Sequence, residues 1–158
     1  MKYLLDLSII NNSPRNYRTK PIIKGELFPN FIAKTINKRI IELSRQRGKI
    51  VILRFELEAN SFRFKKQEIK QIDNLINKIN NKNEKVKAII FFASNELDIK
   101  QGFDLQNSNF EIISNGYNFQ EKFSITRFPT TIVIDKNGKL IDYYNYIDEI
   151  NLTHLVNE

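Results

Sequence analysis

Gly48–Lys66 reads GKIVILRFELEANSFRFKK. Its first half carries Ile50-Val51-Ile52-Leu53, β-branched and large apolar residues without polar alternation, which predicts a strand buried on both faces. A polar turn follows at Glu58–Arg63. Beyond it, Phe62, Ile69, Ile72, Leu75, Ile76 and Ile79 recur at helical spacing, with Lys65, Lys66, Lys70 and Asp73 on the opposite side. Asn60 or Ser61 suits the N-cap of that helix. Strand ends and helix N-termini converge at such turns, and many α/β folds place their chemistry there. This turn holds no thiol, no histidine and no glycine-rich loop.

The rest of the chain extends the pattern. Val86–Ala93 reads as a second buried strand, and a strand–helix–strand unit is normally parallel and right-handed. Upstream, Phe31–Ile36 and Arg39–Leu43 form a hairpin across Asn37-Lys38. Downstream come a short helix over Ser94–Gln101, a strand over Phe110–Ile113 and a helical turn over Asn118–Phe123. Ile132–Ile134 and Leu140–Tyr146 pair across Asp135-Lys136-Asn137-Gly138, whose Asn-Gly is a strong hairpin signal. A C-terminal helix starts at Asp148 and runs into His154. Tyr3–Ile10 is a candidate edge strand, and Asn11–Pro21 an exposed connection. The expected division is therefore an N-terminal segment, 1–24, and one domain, 25–158.

Composition narrows the chemistry. The 158 residues suffice for one domain with a real core, and 41% hydrophobic with 27% charged residues is ordinary for a globular protein. Cysteine is absent, so this chain has no disulfide, thiolate metal site, iron–sulfur cluster or thiol nucleophile. A formal net charge of +7 permits attraction to polyanions. The cations are scattered, however, and the basic loop Arg45-Gln46-Arg47-Gly48-Lys49 lacks interleaved aromatics, so nucleic acid is not an expected partner. With one histidine, His154, and no cysteine, neither a transition-metal site nor a cofactor is expected. Asp6 interrupts the apolar start and no small-residue cleavage site follows, so Met1–Asp6 does not read as a secretory signal. No stretch reaches the ~18–20 apolar residues of a membrane span, and the chain reads as soluble.

These pieces resemble the thioredoxin fold, in its TlpA/ResA-like, AhpC/TSA-related (redoxin) branch, from about Gly25 to Ile150. The family opens with Gly-x-x-x-Pro-x-Phe, met by Gly25, Pro29 and Phe31. A hairpin and a Gly-Lys-hydrophobic strand ending in Phe follow, met by Gly48-Lys49 through Phe55. The most specific match is the block Pro129-Thr130-Thr131-Ile132-Val133-Ile134-Asp135-Lys136-Asn137-Gly138-Lys139-Leu140-Ile141. The implied architecture is an α/β three-layer α/β/α sandwich, with a central mixed sheet and an N-terminal hairpin extension.

The departure from the family is equally specific. Its Trp-Cys-x-x-Cys motif falls on Ala59 and then Asn60-Ser61-Phe62-Arg63, with Asn60 and Arg63 at the cysteine positions. Thiol–disulfide exchange needs a thiolate, so neither thiol–disulfide oxidoreductase nor cysteine-dependent peroxidase chemistry is available to this chain. The resemblance further implies that Pro129 is cis, with Phe128 and Thr130 flanking a docking edge for an extended peptide. The candidate groove adds Glu56, Glu58 and Phe64, with Phe62, Phe64 or Phe128 as apolar anchors. Three readings follow. One is a redox-inactive module that binds or scaffolds a protein or peptide partner. Another is a non-thiol enzyme with Arg63 holding an anion and Glu56 or Glu58 as base; two carboxylates this close on a strand end are, however, usually solvated. The last is a purely structural domain of a larger assembly. Family analogy points to a periplasmic or extracytoplasmic location.

Overall fold

The computed structural model describes residues 21–60, 64–103, 107–144 and 149–157. The candidate edge strand Tyr3–Ile10 therefore lies outside the described residues, as do Ser61, Phe62 and Arg63. The elements run β1 (Ile32–Lys34), β2 (Ile40–Glu42), β3 (Ile50–Glu56), α1 (Lys66–Ile79), β4 (Val86–Phe92), α2 (Glu96–Gly102), β5 (Phe110–Ile113), α3 (Tyr117–Lys122), β6 (Thr130–Ile134), β7 (Leu140–Tyr144) and α4 (Glu149–Asn157). A short 3-10 turn, Leu43–Gln46, joins β2 to the approach to β3.

The central sheet has the order β5-β4-β3-β6-β7. β3 pairs parallel with β4, and β4 with β5, whereas β6 runs antiparallel to both β3 and β7. The sheet is thus mixed, and β1–β2 forms the separate hairpin. Every residue of β3 is buried, as its unalternating sequence requires.

Side-chain alternation along the strands divides the core in two. Ile50 and Ile52 face one way, into a layer with Ile69, Ile72 and Ile76 of α1, Ile99 of α2, and Leu152 and Val156 of α4. Val51, Leu53 and Phe55 face the other way, toward Phe119 of α3 and the hairpin's Ala33 and Ile41. That second layer is aromatic. Phe55 stacks on Phe91 with centroids 4.8 Å apart, and Phe28 and Phe31 meet Phe123 at 4.9 and 5.7 Å. Offset and tilted ring pairs of this kind add about 0.5–1.5 kcal/mol each beyond the area they bury.

One expectation fails locally. The first long helix begins at Lys66, with Lys65 as a cap residue that makes no side-chain capping bond. Asn60 does not cap it, and Ser61 lies outside the described residues. Phe64 precedes the helix and turns into the core, where its ring meets Phe92 at 5.3 Å and Phe103 at 5.8 Å. Burying that ring draws out the chain that helical spacing alone would have wound.

Candidate functional site

The turn after β3 is held by one side chain. Ser94, buried just after β4, donates its hydroxyl to Leu57 O (3.1 Å), and its Oγ accepts from Ala59 N–H (3.1 Å). Its own N–H donates to Leu57 O at 3.0 Å. Ala59, at the family's tryptophan position, is fully buried, and a Cβ on Gly102 would stand 2.4 Å from its carbonyl oxygen. A glycine at that position lets α2 close against the turn. Asn60 is exposed. Arg63, the other position aligned with a cysteine, lies outside the described residues.

The carboxylates behave differently from expectation. Glu58 is exposed, but Glu56 is only 3% exposed, so the two do not form a solvated pair. Glu56 instead faces Arg54, a residue the sequence reading passed over inside an apolar run. Arg54 is 1% exposed and binds three ways. Its Nε donates to Glu56 Oε2 (2.8 Å), and its Nη1 to Glu68 Oε1 in the first turn of α1 (2.7 Å) and to Thr131 Oγ1 in β6 (2.9 Å). Nη2 has no partner. A buried guanidinium needs counter-charges, and two carboxylates supply them.

The electrostatics follow from this count. Burial pushes the Glu56 carboxyl above its ordinary range, and the Glu68 charge adds to that, against the opposing pull of Arg54 and Lys65. Burial also lowers the tendency of Arg54 to hold its proton, but Glu68 and Glu56 outweigh it and leave its pKa raised. With two acids around one guanidinium, Glu56 is the surplus charge. It is tied up as an ion-pair partner and is not aimed at a cleft as a base.

Across the sheet lies the second part of the site. The Phe128–Pro129 peptide bond is cis. Phe128 and Pro129 are half-buried, Arg127 is exposed, and Thr130 Oγ1 donates to Arg127 O at 2.6 Å. Pairing of β6 with β3 begins at Thr130↔Phe55, so among the described residues the Phe128 N–H and C=O take no backbone hydrogen bond. Beside them is a groove of about 250 Å³, lined by Pro21, Ile125, Arg127, Pro129, Thr130 and Tyr144. A larger cavity, about 590 Å³, lies along α1 against Gly102 and Phe103 and includes none of the sequence-predicted site residues.

The expected residues are thus divided. Phe128, Pro129 and Thr130 are together at an open wall. Phe64 is core, which removes it from the groove, and Glu56 is sequestered with Arg54, Glu68 and Thr131. His154 is exposed on α4. Among the described residues, no group of three or more His, Asp or Glu could hold a metal. No helix there is long and apolar enough to cross a membrane.

Similar structures share this frame. The thioredoxin domain of a thiol-disulfide oxidoreductase from Bacteroides vulgatus is 17% identical, with a TM-score of 0.67 over 84% of this chain and 96% of that one. A thiol:disulfide interchange protein from Bacteroides sp. is 18% identical, with a TM-score of 0.67 over 87% and 92%. The exposed lipoprotein thioredoxin Etrx1 from Streptococcus pneumoniae is 20% identical, with a TM-score of 0.59 over 82% and 98%. At such identities the likeness is one of fold. No curated protein matches the chain. The AhpC/TSA family model matches residues 24–143, three-quarters of the sequence, including β3, the turn after it and the Pro129 block. On that match over most of its length, and with its thioredoxin-like sheet, the chain belongs to the AhpC/TSA family, though without cysteine.

Proposed function

We propose that this protein is a redox-inactive, thioredoxin-like module that docks an extended segment of a protein partner at the cis-Pro129 wall. The observation that carries the reading is the unpaired backbone of Phe128 beside an open groove. An N–H and C=O left free at a strand's end are a template for strand addition, in which main-chain bonds give affinity and neighbouring side chains give selectivity. Without a thiol in the chain, such docking would leave the partner chemically unchanged. Phe128 serves as the apolar anchor, since it packs against the aromatic layer while staying half-exposed. A relative described as an exposed lipoprotein supports an extracytoplasmic setting.

The test is a screen of immobilised extended peptides, with backbone NMR of the protein to locate any contact. Shifts centred on Phe128–Thr130, together with no thiol-dependent turnover, are expected. Binders that perturb only residues remote from Pro129 would overturn the reading, as would reproducible reductase or peroxidase activity.

A further inference from the structure

The cis-Pro129 groove has a distinctive charge balance. Arg127 is exposed on its wall, and among the described residues its guanidinium forms no ion pair or side-chain hydrogen bond. Arg39 pairs with Glu111, Arg45 with Glu42, and Arg54 with Glu56 and Glu68. Arg47, the other exposed arginine without an ion pair among the described residues, lies outside this groove. Among the described residues, no Asp or Glu lines the groove. The acid nearest in sequence to the lining tyrosines, Asp142, lies 3.5 Å from Lys24 Nζ. The Tyr144 phenol, like any tyrosine hydroxyl, is protonated and can donate at neutral pH. The groove therefore offers a cation and hydroxyl groups, with apolar floor from Pro21, Ile125 and Pro129.

We propose that the segment docked in this groove carries a carboxylate, which Arg127 reads. The inference rests on the peptide-docking reading above and names the chemistry of the occupant. An extended chain paired with the free Phe128 backbone advances about 3.3 Å per residue, so a carboxylate one step along it comes level with Arg127. A guanidinium matches a carboxylate with two parallel N–H···O bonds, stronger than neutral ones. An acidic side chain or a C-terminal carboxylate of a partner peptide would both serve.

The experiment uses the full chain and three N-acetylated peptides of alternating valine and threonine. One ends in a free carboxylate, one in an amide, and one in an amide with a single internal glutamate. Affinities are measured by calorimetry at low and high salt, and contacts are located by NMR. Both acidic peptides should bind about tenfold more tightly than the neutral amide, a difference of ~1.4 kcal/mol, and the gap should shrink at high salt. Arg127→Gln should erase the gap between the acidic peptides and the neutral amide. Equal binding of acidic and neutral peptides to the wild type at Phe128–Thr130 overturns the carboxylate inference and leaves peptide docking standing. A gap that persists in Arg127→Gln also overturns it. Binding of none of the three overturns both, including the case in which residues 1–20 of the chain already fill the groove.

Discussion

The two walls of the turn region differ. On the first, the β3–α1 side, Ala59 is buried, Phe64 is core, and Arg54, Glu56, Glu68 and Thr131 form a largely buried ionic cluster. On the second, the β6 side, among the described residues, the backbone of Phe128 takes no backbone hydrogen bond and Arg127 has no counter-ion. A first wall without thiols has no thiol chemistry to keep accessible, and burial there contributes to stability. The second wall has no comparable reason to close.

Replacing Arg54 tests this contrast most severely. Arg54→Leu strands two carboxylates in the interior and should cost about 3–5 kcal/mol in urea unfolding. Replacing the cluster together, by Arg54→Met, Glu56→Leu and Glu68→Leu, should leave stability unchanged or raise it by up to about 4 kcal/mol. If the triple variant were as unstable as Arg54→Leu, the cluster would be needed for more than charge balance. Next in size is Gly102→Ala, whose Cβ would press on the Ala59 carbonyl. Overpacking of this kind costs about 1–3 kcal/mol, and NMR shifts should be confined to the first wall and leave Phe128–Thr130 unmoved.

A smaller effect concerns pH. The Glu56 pKa is raised in the folded protein, so the folded state holds this proton more tightly than the unfolded chain does. The corresponding stability is fully present below the ordinary carboxylate pKa and is lost as pH rises through the folded value. Glu56→Gln should flatten that part of the stability–pH curve; an unchanged curve would shift the surplus charge to another group. The smallest effect is at the second wall, where Arg127→Gln should change the midpoint of thermal unfolding hardly at all, since exposed sites without partners stay within about 0.5 kcal/mol.

Much of the fold was legible because its signals are local. The unalternating β3 run, the hairpin over Phe31–Leu43 and the Asn137-Gly138 turn each report their own backbone. Phe110–Ile113 matched the observed strand end to end. The start of α1 was not legible, because Phe62 continues the spacing of Ile69 and Ile72, and only the pull of Phe92 and Phe103 on Phe64 argues otherwise. The Arg54 cluster was missed for a related reason. Its members are 2, 14 and 77 positions from Arg54, and no period joins them. A usable signal was present all the same: an arginine inside a doubly buried strand must find acids, and Glu56 stands two residues on.

The close approach of Gly102 to the Ala59 carbonyl also limits what can be installed there. One added carbon on α2 would collide with the turn, and Ala59 is fully buried, so a tryptophan at position 59 would have to displace core residues. Cysteines introduced at positions 60 and 63 would supply sulfur without that ring beside it. A design that seeks thiol chemistry on this scaffold must therefore change several packed positions at once, each unfavourable alone.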